Sequence, residues 1–205
     1  MLICDVEFDL PSSPVGVLCS GGADSSLVLY LLMKYSTQPI HIFTLCNKNK
    51  HYTNNIVIAN VIDWCLKNTE NNNIKHHVNF AEQQTSSALY HLPFQYLKNK
   101  TIENLYIGDT CWPPDEINEQ FAINDVIQNK NDRSPHVERP TYWKNFYIPF
   151  TNYNKKKIAE IYRHQNIMQL FDLTRSCETL DNIGLNHCGE CWWCKERSWA
   201  FSLDK

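Results

Sequence analysis

The sequence is short of several features, and each shortage argues against a class of protein. Charge is nearly balanced, with 19 Lys and Arg against 22 Asp and Glu in 205 residues, so there is no broad basic field for nucleic acid. No apolar run approaches membrane-spanning length, and no basic stretch followed by an apolar one opens the chain. We therefore expect a cytoplasmic protein that acts on a small molecule, with no membrane segment and no extended nucleic-acid surface.

The nine cysteines do not suggest a disulfide framework. Their number is odd, no secretion signal is visible, and four of them crowd the C-terminal region. Metal binding explains those four better than disulfides do. The length suits one α/β domain with a short appendage, which we place at residues 1–172 and 173–205.

Short apolar runs alternate with longer amphipathic ones, which predicts βαβ units in an open parallel β-sheet flanked by helices. The predicted strands are Val15–Leu18, Ile40–Leu45, Ile74–Phe80 and Leu105–Gly108, and the predicted helices are Asp24–Tyr35, Tyr52–Lys67 and Gln84–Lys98. Ligands of such sheets bind at the carboxyl ends of the strands. The segments that follow three of these strands should therefore gather at one edge: Ser20–Ser26, Cys46–His51 and Asp109–Asp115.

The loop after the first predicted strand carries the strongest chemical signal. It reads Ser20, Gly21, Gly22, Ala23, Asp24, Ser25 and Ser26. Glycines let backbone N–H groups approach an anion, and the start of the following helix favours negative charge. Asp24 would repel phosphate unless a cation lay between them, so the residues indicate Mg²⁺. A turn that merely caps a helix is the simpler alternative.

Two later segments offer weaker signals. Asp109, Trp112 and Asp115 flank a Pro-Pro pair, where a stiff loop could stack a planar heterocycle or simply bury its indole for packing. The polar stretch 129–144 is long for a structureless connection, so it is either a lid that meets polyphosphate or a solvated loop.

A fourth helix is predicted to begin at Asn154, a plausible cap followed by three lysines and by apolar residues at helical spacing. Lysines oppose the helix dipole at this end, which is understandable if one faces a phosphate. Exposed lysines also cost little free energy, so the alternative is that these lysines lie on a solvated face of the helix.

Four cysteines near the C-terminal end have metal-ligand spacing. Cys177, Cys188, Cys191 and Cys194 form C-x₁₀-C-x₂-C-x₂-C, which suits tetrahedral Zn²⁺ in a closed structural site. An iron–sulfur cluster is the competing interpretation. His187 could replace one ligand, although we rank four cysteines first.

The loop resembles the Ser-Gly-Gly-x-Asp-Ser/Thr signature of the PP-loop ATP pyrophosphatases, which split ATP between its α and β phosphates. Further downstream stand Thr174–Cys177, Cys188–Arg197 and Ala200-Phe201. With these segments the chain resembles the 7-cyano-7-deazaguanine synthase family, over about Val15 to Phe201. The resemblance implies the PP-loop fold, with a small C-terminal zinc element.

The resemblance also implies a reaction and roles. The substrates would be ATP, ammonia and the deazapurine carboxylate 7-carboxy-7-deazaguanine, and the product the nitrile, formed through an adenylate and an amide. Pyrophosphate and Mg²⁺ would be held by Ser20, Gly21, Gly22, Asp24, Ser25, Ser26 and Lys155, with Asp24 and Lys155 as catalytic residues. His51, Asp109, Trp112 and Asp115 would face the acceptor. Free ammonia is the implied nitrogen source and a homodimer the implied assembly.

The segment Cys46–His51 departs from the family, which tends to have Asp-Tyr-Gly-Gln-Arg-His there. This difference bears on the acceptor more than on ATP. The alternatives are adenylation of another carboxylate, adenylation of a tRNA base followed by sulfur transfer, and a nucleotide-binding module without catalysis.

Overall fold

A computed structural model of the chain describes residues 1–47, 53–82, 85–121, 145–177 and 186–202. The elements in chain order are β1 Leu2–Ile3, β2 Val6–Glu7, β3 Val15–Leu18, α1 Ala23–Tyr35, β4 Ile40–Asn47, α2 Asn54–Asn68, β5 Ile74–Ala81, α3 Ser86–Lys98, β6 Asn104–Ile107, α4 Asp115–Phe121, β7 Phe146–Tyr147, α5 Lys155–His164, α6 Met168–Leu173 and α7 Trp192–Phe201. None of the helices in these ranges is long and apolar enough to cross a bilayer.

Five strands form a sheet in the order β5-β4-β3-β6-β7, and every pairing in it is parallel. This confirms the parallel sheet predicted from the alternating apolar runs. The chain moves outward from β3 through β4 to β5 and then returns to the other side of β3 with β6. The order in which the chain adds strands therefore reverses at β3, and ligands of open parallel sheets bind at such a switch point, outside the carboxyl ends of the strands.

Helices cover both faces of the sheet. Along β3, Val17 packs in the larger apolar cluster with α1, α2 and α5, whereas the next residue, Leu18, packs in a smaller cluster with α3. Successive side chains of a strand point to opposite faces, so the two clusters lie on opposite sides of the sheet. Burial of strand residues on both faces explains why they appear in the sequence as continuous apolar runs.

Helix α1 is the central helix of the larger cluster. From Leu27 to Met33 each side chain is at most 3% exposed. Tyr162 of α5 is fully buried and donates a hydrogen bond from its hydroxyl to the carbonyl of Ala23, at 2.8 Å. This bond fastens α5 to the first residue of α1, immediately after the glycine loop.

Helix α5 begins as predicted. The side chain of Asn154 accepts a hydrogen bond from the N–H of Lys156 at 3.0 Å, and Ile158, Ile161 and Tyr162 are buried. Helix α7 begins at Trp192, directly after Cys191. The ring of Phe201 stacks on that of Phe171 in α6 with centroids 3.7 Å apart, which docks α7 on the main domain.

Candidate active site and metal centre

The glycine loop between β3 and α1 is held from both sides. Gly21 has a φ of +81°, and a Cβ there would lie 2.6 Å from Cγ1 of Val57 in α2, so only glycine fits. The Gly21 carbonyl accepts a hydrogen bond from the N–H of Arg175 at 2.9 Å. The Arg175 guanidinium in turn donates to the hydroxyl of Thr53 at 3.0 Å. The chain segment that leads to Cys177 thus supports the outer side of the loop.

Two serine hydroxyls make hydrogen bonds across the inner side of the loop. The Ser25 hydroxyl lies 3.3 Å from the Ser20 hydroxyl, accepts from the Ser20 N–H at 3.3 Å and donates to the Gly22 carbonyl at 3.3 Å. The Gly22 N–H donates to the Ser20 hydroxyl, also at 3.3 Å. All four contacts are long for hydrogen bonds. An anion could therefore take these donors over at little cost.

The carboxyl end of β6 approaches the start of α1 so closely that a side chain would not fit between them. A Cβ on Gly108 would lie 2.6 Å from the backbone nitrogen of Ser25 and 2.7 Å from the carbonyl carbon of Asp24. Backbone atoms cannot swing aside as the tip of a long side chain can. Gly108 therefore sets the distance between β6 and the glycine loop.

A cavity of about 360 Å³ opens at this edge of the sheet. Its lining comes from the ends of β3, β4 and β6, the loop, α2, α3 and α7: Leu18, Cys19, Ser20, Gly22, Asp24, Ser25, Phe43, Leu45, Asn54, Leu89, Tyr90, Ile107, Gly108, Asp109 and Trp193. The lining combines hydroxyls, N–H groups and carboxylates with apolar and aromatic side chains. Such a site suits a ligand with a charged end and a planar ring.

Lys155 lies beside the loop, in a buried ion cluster. Its Nζ is 3.2 Å from Oδ2 of Asp24 and 3.0 Å from Oε2 of Glu196 in α7. The lysine side chain is 5% exposed and that of Glu196 is fully buried, whereas Asp24 is 19% exposed and lines the cavity. The structure thus brings the two predicted catalytic residues together and adds a glutamate that the sequence analysis did not single out.

Cys19 is the one cysteine on the cavity wall among the described residues. Burial raises the pKa of its thiol to about 11, so it remains protonated at neutral pH. A protonated thiol is a poor nucleophile. Cys19 is therefore not a candidate nucleophile at neutral pH.

The other residues predicted to face an acceptor lie in different places. Asp109 lines the cavity directly after β6. The Trp112 ring packs edge-on against Trp192 of α7, at 4.9 Å between centroids, so its indole contacts the C-terminal element. Asp115 is the exposed first residue of α4. His51 and the predicted lid 129–144 lie outside the described residues.

Four cysteine sulfurs converge ahead of α7 and within its first turn. Those of Cys177, Cys188, Cys191 and Cys194 all lie within 4.8 Å of one another, and the group could bind a metal. The Cys188 sulfur accepts hydrogen bonds from the N–H groups of Glu190 and Cys191, at 3.4 and 3.3 Å. Backbone donors of this kind orient a sulfur that could bind metal.

His187 lies next to this four-cysteine cluster, with Nδ1 at 3.7 Å from the Cys194 sulfur and Nε2 at 3.3 Å from the Thr174 carbonyl. His187 thus contacts Cys194, one of the four candidate metal ligands, and from this position it would support that ligand. Arg197 fixes the helix that follows: it donates to the Thr174 hydroxyl at 2.7 Å and the Phe171 carbonyl at 2.8 Å. Burial lowers the pKa of its guanidinium to about 10, so it stays charged at neutral pH.

The sheet order, the glycine loop and the cavity at the switch point define a PP-loop fold, also called the adenine nucleotide α-hydrolase type. Residues 11–96 match the model of the asparagine synthase family, which has this fold. The matched range contains the glycine loop, α1 and the first three strands of the parallel sheet along the chain. No curated protein sequence is significantly similar to the chain.

Two solved structures resemble the chain at low identity. One is the U34-tRNA thiolase NcsA from Methanococcus maripaludis with its 4Fe-4S cluster, at 11% identity and a TM-score of 0.46, over 94% of this chain and 70% of that one. The other is NMN synthetase from Francisella tularensis, at 13% identity and a TM-score of 0.47, over 92% of this chain and 84% of that one. Neither likeness bears on the substrate.

Proposed function

We propose that the protein is an ATP-dependent ligase that splits ATP between the α and β phosphates and transfers AMP to a carboxylate. The observation that carries this is that Asp24, which lies on the wall of the cavity at the switch point beside hydroxyls and N–H groups, is paired with Lys155 behind it. Helix starts and loops of this kind bind phosphate. Lysine and N–H groups can neutralise a leaving pyrophosphate.

Mg²⁺ is the cation that we propose beside Asp24. The buried cluster of Lys155 with Asp24 and Glu196 carries two carboxylates for one ammonium, and Asp24 is the carboxylate that reaches the cavity. Carboxylate and phosphate oxygens are the donors that Mg²⁺ takes. Bound there, the cation would neutralise phosphate charge. Asp109, on the same wall, supplies a second carboxylate.

The acceptor that we propose is 7-carboxy-7-deazaguanine, and the resemblance of the loop and the C-terminal cysteine segment to the deazaguanine nitrile synthases suggests it. Its carboxylate oxygen attacks the α-phosphorus and pyrophosphate leaves. Ammonia displaces AMP and gives the amide. The amide oxygen attacks the α-phosphorus of a second ATP and a second pyrophosphate leaves; loss of AMP and of both N–H protons of the amide then gives the nitrile. The aromatic side chains of Phe43, Tyr90 and Trp193 on the cavity wall suit a planar ring.

Zinc is the metal that we propose for the four-cysteine cluster. With a Zn–S distance of about 2.3 Å, tetrahedral geometry separates the sulfurs by about 3.8 Å. The sulfurs of Cys188 and Cys194 are 3.9 Å apart, and all four lie within 4.8 Å. A four-iron cluster holds its cysteine sulfurs further apart, because each binds a different iron. Metal analysis of the purified protein should give zinc, and iron with inorganic sulfide would overturn this assignment.

Mass spectrometry of the products tests the proposed acceptor. The purified protein is incubated with ATP, Mg²⁺, ammonium and 7-carboxy-7-deazaguanine, and Asp24→Ala serves as the control for contaminating activity. We expect the masses of the amide and then of the nitrile. An unchanged acceptor, in a preparation that adenylates another carboxylate or a tRNA base, would contradict the acceptor but not the ligase chemistry.

A further inference from the structure

Glu196 is a buried carboxylate that belongs to the cysteine segment and yet ends at the predicted ATP site. Its side chain is fully buried, and Oε2 lies 3.0 Å from Nζ of Lys155. It stands two positions after Cys194, on the helix that the four-cysteine cluster begins. We infer that Glu196 is a positioning residue that holds Lys155 at the loop and frees Asp24 for a cation; this role rests on the proposed function.

Charge pairing explains why a second carboxylate is needed. An ammonium as buried as that of Lys155 is costly unless it is paired. If Asp24 were the only carboxylate paired with Lys155, a cation that bound Asp24 would leave the charge of the lysine uncompensated. Glu196 removes this conflict, because it stays with Lys155 while Asp24 exchanges the lysine for the cation. Exposure agrees with this division, since Asp24 reaches the cavity and Glu196 does not.

The surroundings of Glu196 make it a fixed partner. The next residue, Arg197, is buried and anchored by two hydrogen bonds to Thr174 and Phe171. Cys194, on the preceding turn, belongs to the four-cysteine cluster. A carboxylate held between these anchors cannot follow Lys155 away from the loop, so it keeps the ammonium in one place.

Binding of magnesium pyrophosphate, measured by calorimetry on the metal-loaded protein, tests this role without turnover. Glu196→Gln keeps the shape of the side chain and removes its charge. We expect it to weaken pyrophosphate binding by about tenfold, because a charge-assisted contact is worth on the order of 1.5 kcal/mol. Glu160→Gln is the matched control: it removes a carboxylate from the 2.6 Å pair with Lys157 on the exposed side of α5, and binding should not change.

A double-mutant cycle with Lys155→Met separates positioning from a general structural effect. If Glu196 acts through Lys155, Glu196→Gln adds no further loss of pyrophosphate affinity when Lys155 is already Met. It should also raise the melting temperature of Lys155→Met, since that variant buries a glutamate without its cation. The inference would be overturned if the double variant lost the sum of the two single losses of pyrophosphate affinity. It would also be overturned if Glu196→Gln bound pyrophosphate as tightly as the wild type. A wild-type protein that binds neither ATP nor pyrophosphate would instead overturn the proposed function.

Discussion

Replacement of Gly108 by alanine should disturb the proposed ATP site more than the addition of one methyl group suggests. The added Cβ would lie 2.6 Å from the Ser25 nitrogen, and ordinary contact begins at 3.4 Å. The end of β6 and the start of α1 must then part by most of an ångström. Overpacking of this kind costs about 1–3 kcal/mol, and we expect the upper end because the neighbour is backbone. A displacement of about 1 Å at a reacting group costs on the order of 10²-fold in rate.

The assay pairs urea unfolding with ATP-dependent pyrophosphate release. Gly22→Ala is the folding control, because a Cβ there lies at ordinary contact distance, 3.4 Å from the Ser20 hydroxyl and 3.8 Å from the Arg175 carbonyl. Its cost should stay below about 1 kcal/mol, as for an unfavourable helix cap. A Gly108→Ala protein with the stability and rate of the wild type would show that β6 and the loop are not packed as described.

Three further predictions concern the loop, the cysteines and a histidine. Asp24→Ala should keep fold and metal, since Glu196 still pairs with the lysine, and should abolish pyrophosphate release; unchanged release would refute its role. Cys191→Ser should lose metal and melt earlier, because metal binding is coupled to folding; a normal melting temperature without metal would count against this. Burial lowers the pKa of His77, so the unfolded chain binds more protons and stability should fall from about pH 7.5 to about pH 5.5. His77→Gln should reduce that fall, and an equal fall in the wild type and in His77→Gln would contradict it.

The fold was predictable wherever burial gives the sequence a clear pattern. The strands at the centre of the sheet are covered by helices on both faces. Each therefore appears in the sequence as a continuous apolar run, and these runs show where the strands lie along the chain. The hairpin of β1 and β2 has strands of only two residues, joined by Cys4 and Asp5 at positive φ, and this pair lacks the glycine of the strongest hairpin signals. Helix α4 follows a Pro-Pro pair that suggested a loop, although proline also precedes helices, and Asp115 and Glu116 favour its first turn.

The candidate site was predictable where chemistry is local. The glycine loop and the four cysteines stand out in the sequence by their spacing, so both could be named as candidate sites from the sequence. Glu196 gave no such signal, because its partner Lys155 lies 41 positions away and only packing of α7 on α5 joins them. Tyr90 and Trp193 on the cavity wall are similar cases, since an aromatic residue in a helix is usually a core residue. Long-range contacts of this kind leave no periodicity in a single sequence.

The position at which ATP is cut tests the central claim most directly. The metal-loaded protein is given ATP labelled at the α-phosphorus, Mg²⁺, ammonium and 7-carboxy-7-deazaguanine, and the labelled nucleotide is identified by chromatography. We expect labelled AMP, with pyrophosphate released in equal amount and neither formed by Asp24→Ala. ATP that remains intact would contradict the proposed acceptor, whereas labelled ADP with inorganic phosphate would contradict the claim that this loop serves to split ATP between its α and β phosphates.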